Sequence, residues 1–194
     1  KKSMPIFMLV LAGVVTSALF NALISLTKFL ADPEEKLPAI TYWLMGSLGT
    51  ASYRDLYTAG PIILIGIIIL IAVRWRINLL TLPDDEAKSL GISVANLKWT
   101  VIVGATLCTA AAVAIAGIVG WVGLIIPHIA RMFVGNNNER VLPMSLALGG
   151  AYLLIIDTLA RTLTAAEIPL SILTAIVGAP FFAYLLRKTG GSWS

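Results

Sequence analysis

Residues able to do chemistry are few in this chain, and they do not converge. His128 is the single histidine and Cys108 the single cysteine. A metal site needs several such ligands together, and neither residue has a companion of its kind. No serine–histidine pair stands at a nucleophile spacing. There is no glycine-rich phosphate loop and no carboxylate pair spaced for acid–base work. The pattern predicts no covalent catalysis and no cofactor. The acids fall instead into three local settings. Asp84, Asp85 and Glu86 are consecutive in "LPDDEAKSLG", Leu82 to Gly91. Asp157 precedes Arg161 by one helical turn in "LIIDTLAR", the favourable order for a helical ion pair. Glu167, before Ile168-Pro169, reads as a helix N-terminus, with the acid at the positive dipole end and proline in the first turn.

The elements that hold these residues are apolar. Hydrophobic residues make up 58% of the 194 positions and charged ones 12%, against about 25% charged in a typical soluble domain. A soluble domain of this size cannot bury so much apolar surface. The class is integral membrane, and the runs are continuous rather than alternating, so the fold is all-α and polytopic, not a barrel. The net charge of +4 forms no dense patch, which argues against nucleic acid as a partner. Cys108 can form no internal disulfide and reads as packing. The first apolar run is too long for a cleavable signal, and the opening on Lys1 rather than Met suggests a piece of a longer protein.

A crossing helix needs about 20 apolar residues. Pro5–Leu26, Leu56–Val73, Val141–Ala160 and Ile168–Leu186 each qualify. Trp99–Ala130 holds 32 residues without a formal charge, roughly 48 Å as one helix at ~1.5 Å per residue. Gly117, Gly120 and Gly123 lie in its second half, where glycine can break a helix. The reading is one helix over 97–117, an exposed turn, and a short helix over 121–134. Six spans result, with both termini on one side. Ten basic residues then fall at the inner ends and loops, against Lys28, Lys36, Arg54 and Arg161 outside. The positive-inside bias makes the termini and the acidic insert cytoplasmic.

The outer loop, 29–57, carries "LPAITYWLMGSLG", Leu37 to Gly49, with helical apolar spacing and interfacial aromatics; a short helix on or dipping into the outer surface is expected. In the first span Ser17, Asn21 and Ser25 recur on one face. They read either as interhelical hydrogen bonds or as a polar stripe lining a pathway. Ser145–Gly149 and Ala175–Ala179 fit the small-xxx-small pattern of close helix contact.

"GWVGLIIPHIARMFVG" (120–135), "LIIDTLAR" (154–161), "EIPLSILTAIVGAPFFAYLLRK" (167–188) and "YWLMGSLG" (42–49) resemble the permease subunit of the iron-chelate and cobalamin ABC importers, the FecCD-type family. The resemblance runs in order along essentially the whole chain. Permeases of that family have about ten membrane helices, and this chain resembles the C-terminal six. The resemblance implies a bacterial or archaeal plasma-membrane protein of one permease domain, 1–194, that hydrolyses nothing itself. Its partners would be an ABC ATPase dimer below, a substrate-binding protein above and a second permease copy in a homodimer.

The resemblance also gives the insert at 78–98 a role. In the family it forms short cytoplasmic helices that dock into the ATPase. Leu82, Asp84, Asp85, Glu86, Ala87, Lys88, Gly91 and Ile92 are the implied docking residues. The acids suit a helix first turn and Gly91 a C-cap. Arg161 matches an outer arginine that meets the binding protein, and Ser17, Asn21 and Ser25 would line the pathway. The implied cargo is a metal chelate of the iron–siderophore, haem or cobalamin class. Two rival classes are an ion-coupled secondary transporter and a membrane enzyme. The first needs an isolated titrating carboxylate, and Asp157 beside Arg161 is a poor fit; the second needs a catalytic constellation.

Overall fold

The computed structural model describes residues 6–89 and 91–189, and every regular element among them is helical. The start of the first predicted span at Pro5, the terminal Lys1 and Lys2, and Leu90 of the insert lie outside the described residues. In order the helices are α1 (Ile6–Leu30), α2 (Lys36–Leu44), α3 (Tyr53–Ile77), α4 (Asp84–Ser89), α5 (Val94–Ala116), α6 (Val122–Val134), α7 (Asn138–Thr162) and α8 (Leu170–Thr189). A 3₁₀ turn, Asn78–Thr81, joins α3 to the α4 segment. All six expected apolar segments are helical. Phe7–Leu30, Tyr53–Thr81, Val94–Ala116 and Asn138–Thr162 are long and apolar enough to cross a membrane; Val122–Val134 and Leu170–Leu185 are apolar but shorter. The 13 residues of α6 rise only about 20 Å, short of a ~30 Å hydrocarbon core.

Local chemistry sets the boundaries. Ser52 and Asp55 form a reciprocal capping box at the start of α3. The Ser93 side chain accepts from the Asn96 amide at the start of α5, and the Asn137 side chain from the Glu139 amide at the start of α7. The break in the long apolar run falls where glycine predicts it. Gly117 ends α5 at φ +70°, and α6 begins at Val122. Trp121 also takes a positive φ, 66°. The turn is not uniformly exposed, however. Val119 packs on a core of Ile156, Ala160 and Leu170, while its neighbour Ile118 faces out.

Two helix groups carry the packing. In the first, α3 lies close against α5. A methyl on Gly66 would stand 2.5 Å from Cys108 Sγ and 2.8 Å from the Gly104 carbonyl oxygen. Cys108 therefore packs, as expected, and its thiol donates to the Ile63 carbonyl at 3.6 Å. In the second group α6, α7 and α8 each contact the other two. Ile125, Ile126, Ala130 and Thr174 are buried there, and a methyl on Gly178 would meet Ile125 Cδ1 at 2.7 Å. The close pair on α8 is thus Thr174 and Gly178. The expected pair, Ala175 and Ala179, is off by one residue: Ala179 is exposed and Ala175 half-buried. Helix α1 stands apart, and from Phe7 to Leu30 every residue is exposed or half-buried.

Candidate functional site

Two ends of the helix assembly collect the polar residues. At one end lies the insert. α4 begins at Asp84, so Asp84, Asp85 and Glu86 do occupy its first turn. The side chains of Asp84, Asp85 and Lys88 lie outside the described set; Glu86 is exposed. Gly91 takes φ +76°, and the Ile92 amide donates to the Ala87 carbonyl at 3.3 Å, which closes the helix as a Schellman cap. Ala87 departs from its predicted role. It is 1% exposed, so its methyl anchors α4 to the bundle and cannot face a partner. Val94 and Leu97 are buried beside it at the start of α5. Leu82 sits at the edge of the surface, 36% exposed. A cleft of about 470 Å³ opens next to α4, lined by Trp75, Arg76, Gly91, Ile92 and Asn96 among others. Two of the predicted residues, Gly91 and Ile92, line it.

The opposite end is more tightly tied than its spacing suggested. Arg161 Nε donates to Asp157 Oδ2 at 2.9 Å and its NH2 to Oδ1 at 3.2 Å, the expected pair in fork geometry. A second carboxylate stands close, with Glu167 Oε1 3.8 Å from Arg161 NH1. The Arg161 side chain remains 42% exposed. Glu167 lies just ahead of its helix, but Pro169 also stands before the first turn rather than in it. α8 starts at Leu170, and the amides of Leu170 and Ser171 donate to the carbonyls of Gly46 and Met45 at 2.9 and 3.1 Å. Loop carbonyls thus occupy the positive helix end, and the Glu167 carboxylate turns to Ser47, whose hydroxyl donates to it at 3.1 Å.

Residues 45–49 tie three helix ends together. The Ser47 amide donates to the Ala116 carbonyl at the end of α5, at 3.0 Å. Gly46, at φ +77°, passes within contact of the Ile118 and Ala116 carbonyls, where a side chain would collide. The predicted outer helix is therefore present but shorter, ending at Leu44, because Met45 to Gly49 are used as a tie. Ser17, Asn21 and Ser25 are all exposed on α1.

A family model for the FecCD transport family matches residues 1–188. The chain belongs to the FecCD transport family. This FecCD chain is 48% identical over 183 residues to the molybdate import system permease protein MolB of Haemophilus influenzae, covering 94% of this chain and 54% of that protein. It is 42% identical to the cobalamin import system permease protein BtuC of Halobacterium salinarum, covering 94% of this chain and 49% of that one. A solved structure described as an inward-facing conformation of a metal-chelate type ABC transporter matches with a TM-score of 0.91 and 48% identity, covering 94% of this chain and 59% of that chain. The FecCD chain thus spans about half the length of the curated relatives it matches. Membership, with four described helices long and apolar enough to cross a membrane, makes it a multi-pass membrane protein of the ABC permease type.

Proposed function

We propose that this chain is the C-terminal part of a permease in an ATP-driven importer, in a bacterial or archaeal plasma membrane. The permease acts as a homodimer, with α4 docked on a separate ATPase subunit and a substrate-binding protein at the Arg161 end. The ATPase consumes ATP, and the permease supplies the pathway, with Ser17, Asn21 and Ser25 of α1 along it. The α4 end is cytoplasmic, as are both termini of the segment. The observation that carries this reading is the way α4 is held. A buried methyl, a closed C-cap and a capped α5 make a short helix into a rigid knob at the end of the α3–α5 pair. A rigid knob transmits a push; a flexible turn absorbs it.

The cargo proposed is a metal chelate or an oxyanion of similar handling. Named relatives move molybdate in one case and cobalamin in another, so the pathway class and not the cargo is what similarity supports. The test is on the knob. Asp84→Lys, Asp85→Lys and Glu86→Lys together should weaken ATPase binding to the inserted permease at least tenfold and uncouple ATP turnover. Unchanged affinity and unchanged coupled turnover would remove the insert from the ATPase interface.

A further inference from the structure

The α3 and α7 ends next to the insert enclose a second cleft, separate from the one lined by Gly91 and Ile92. It is shallow, about 590 Å³, and Arg74, Val134, Glu139, Arg140 and Met144 line it. We propose that it is a binding site for the headgroup of a monoanionic glycerophospholipid, with the phosphodiester between Arg74 and Arg140.

Four observations carry this. First, the depth is right. The apolar run of α3 ends at Val73, and that of α7 begins at Val141, so both arginines stand where hydrocarbon gives way to headgroups. Trp75, 58% exposed beside Arg74, is a residue that favours that same level. Second, neither arginine forms a salt bridge with a carboxylate among the described residues, although Glu139 lines the same cleft. Two cations and one acid leave a local charge of about +1, which matches one phosphodiester.

Third, the walls are fixed. Asn78 Nδ2 donates to Asn137 Oδ1 at 2.8 Å, and the Asn138 amide donates to Asn78 Oδ1 at 2.8 Å. This reciprocal link pins the end of α3 to the start of α7, and so holds the two arginine-bearing ends together. Fourth, the rest of the lining is apolar: Val134 ends α6 beside the arginines, and Pro143, Met144 and Ala147 continue along α7 toward the membrane core. Acyl chains would follow them. A site for a free soluble anion has no use for such a wall.

The experiment is lipid retention on the purified full chain in neutral detergent, read by native mass spectrometry, with titrations of phosphatidylglycerol, phosphatidylcholine and inorganic phosphate. Phosphatidylglycerol should bind in preference to phosphatidylcholine. Arg74→Gln with Arg140→Gln should weaken it about 30-fold, the loss of two surface-level charges. Arg131→Gln, at the same end but outside the cleft, should leave it unchanged. Glu139→Gln should bind it roughly fivefold tighter, since a repelling acid is removed. That gain keeps the proposal testable if the double variant does not fold. Equal retention of the two lipids, wild-type affinity in the double variant, or no gain in Glu139→Gln would each overturn it. Competition by inorganic phosphate as effective as by phosphatidylglycerol would also overturn it, by making the site one for a soluble anion.

Discussion

Arg161 faces two carboxylates that differ in what they tie together. Asp157 is one turn back on the same helix, while Glu167 belongs to the approach to α8 and is held by Ser47 from the far side of the sequence. An exposed pair of this kind contributes about 1 kcal/mol or less to stability. Arg161→Gln should therefore fold, with a small drop in thermal midpoint in detergent. In a complete permease it should slow binding-protein association at low salt, where charge steering is strongest. A wild-type association rate at low ionic strength would confine Arg161 to its structural pairing. Glu167 invites a sharper test. A methyl on Gly49 would run into its carboxylate, 2.5 Å from Cδ. That carboxylate ends a flexible, partly exposed side chain, so Gly49→Ala should push it off Ser47 at a cost of about 1 kcal/mol, and cost less in a Glu167→Ala background. Additive costs in the double variant, measured by chemical unfolding, would contradict the contact. Sequence reading found the Asp157 pair because both partners lie on one turn. It missed the Ser47 partner because 120 residues separate the two, and no local spacing marks such a bond.

Helix boundaries were readable where single residues decide them. The break at Gly117, the cap at Gly91 and the first turn at Asp84 each follow from one residue's backbone or charge preference. Packing faces were less readable. Small residues are frequent on α8, so a four-residue spacing fits more than one register, and the register with Gly178 against Ile125 won because only there does the backbone come close. Gly178→Leu should accordingly destabilise the α6–α8 contact by several kcal/mol, since a bulky chain has no room beside Trp121 and Ile125. Ala179→Leu, on the exposed side, should be close to neutral. A reversed order of the two in thermal stability would mean that α8 is rotated. The turn after α5 tests sidedness. Ile118 is 47% exposed, so Ile118→Cys in a Cys108→Ala background should react with an impermeant thiol reagent added outside intact cells. Labelling only after permeabilisation would invert the proposed orientation.

At the level of the whole molecule, two helix groups meet where α3 contacts α7, and are tied at one end by residues 45–49 and at the other, beside the capped knob of α4, by the Asn78 link to Asn137 and Asn138. α1 lies outside both groups with its apolar surface and its serine–asparagine stripe uncovered. Composition alone identifies a helical membrane protein, and the quoted motifs carry the family; cargo was not legible because relatives with different cargoes share this architecture. In the proposed function ATP turnover drives transport through the knob. The direct measurement is uptake into proteoliposomes holding a complete permease with this segment, its ATPase and a binding protein, with molybdate, haem and cobalamin as cargoes. Uptake of one cargo should require ATP on the α4 side, persist with a protonophore present, and fall at least tenfold when Asp84, Asp85 and Glu86 are all replaced by lysine. Uptake that proceeds without ATP and collapses with the protonophore would contradict the account and identify an ion-coupled transporter.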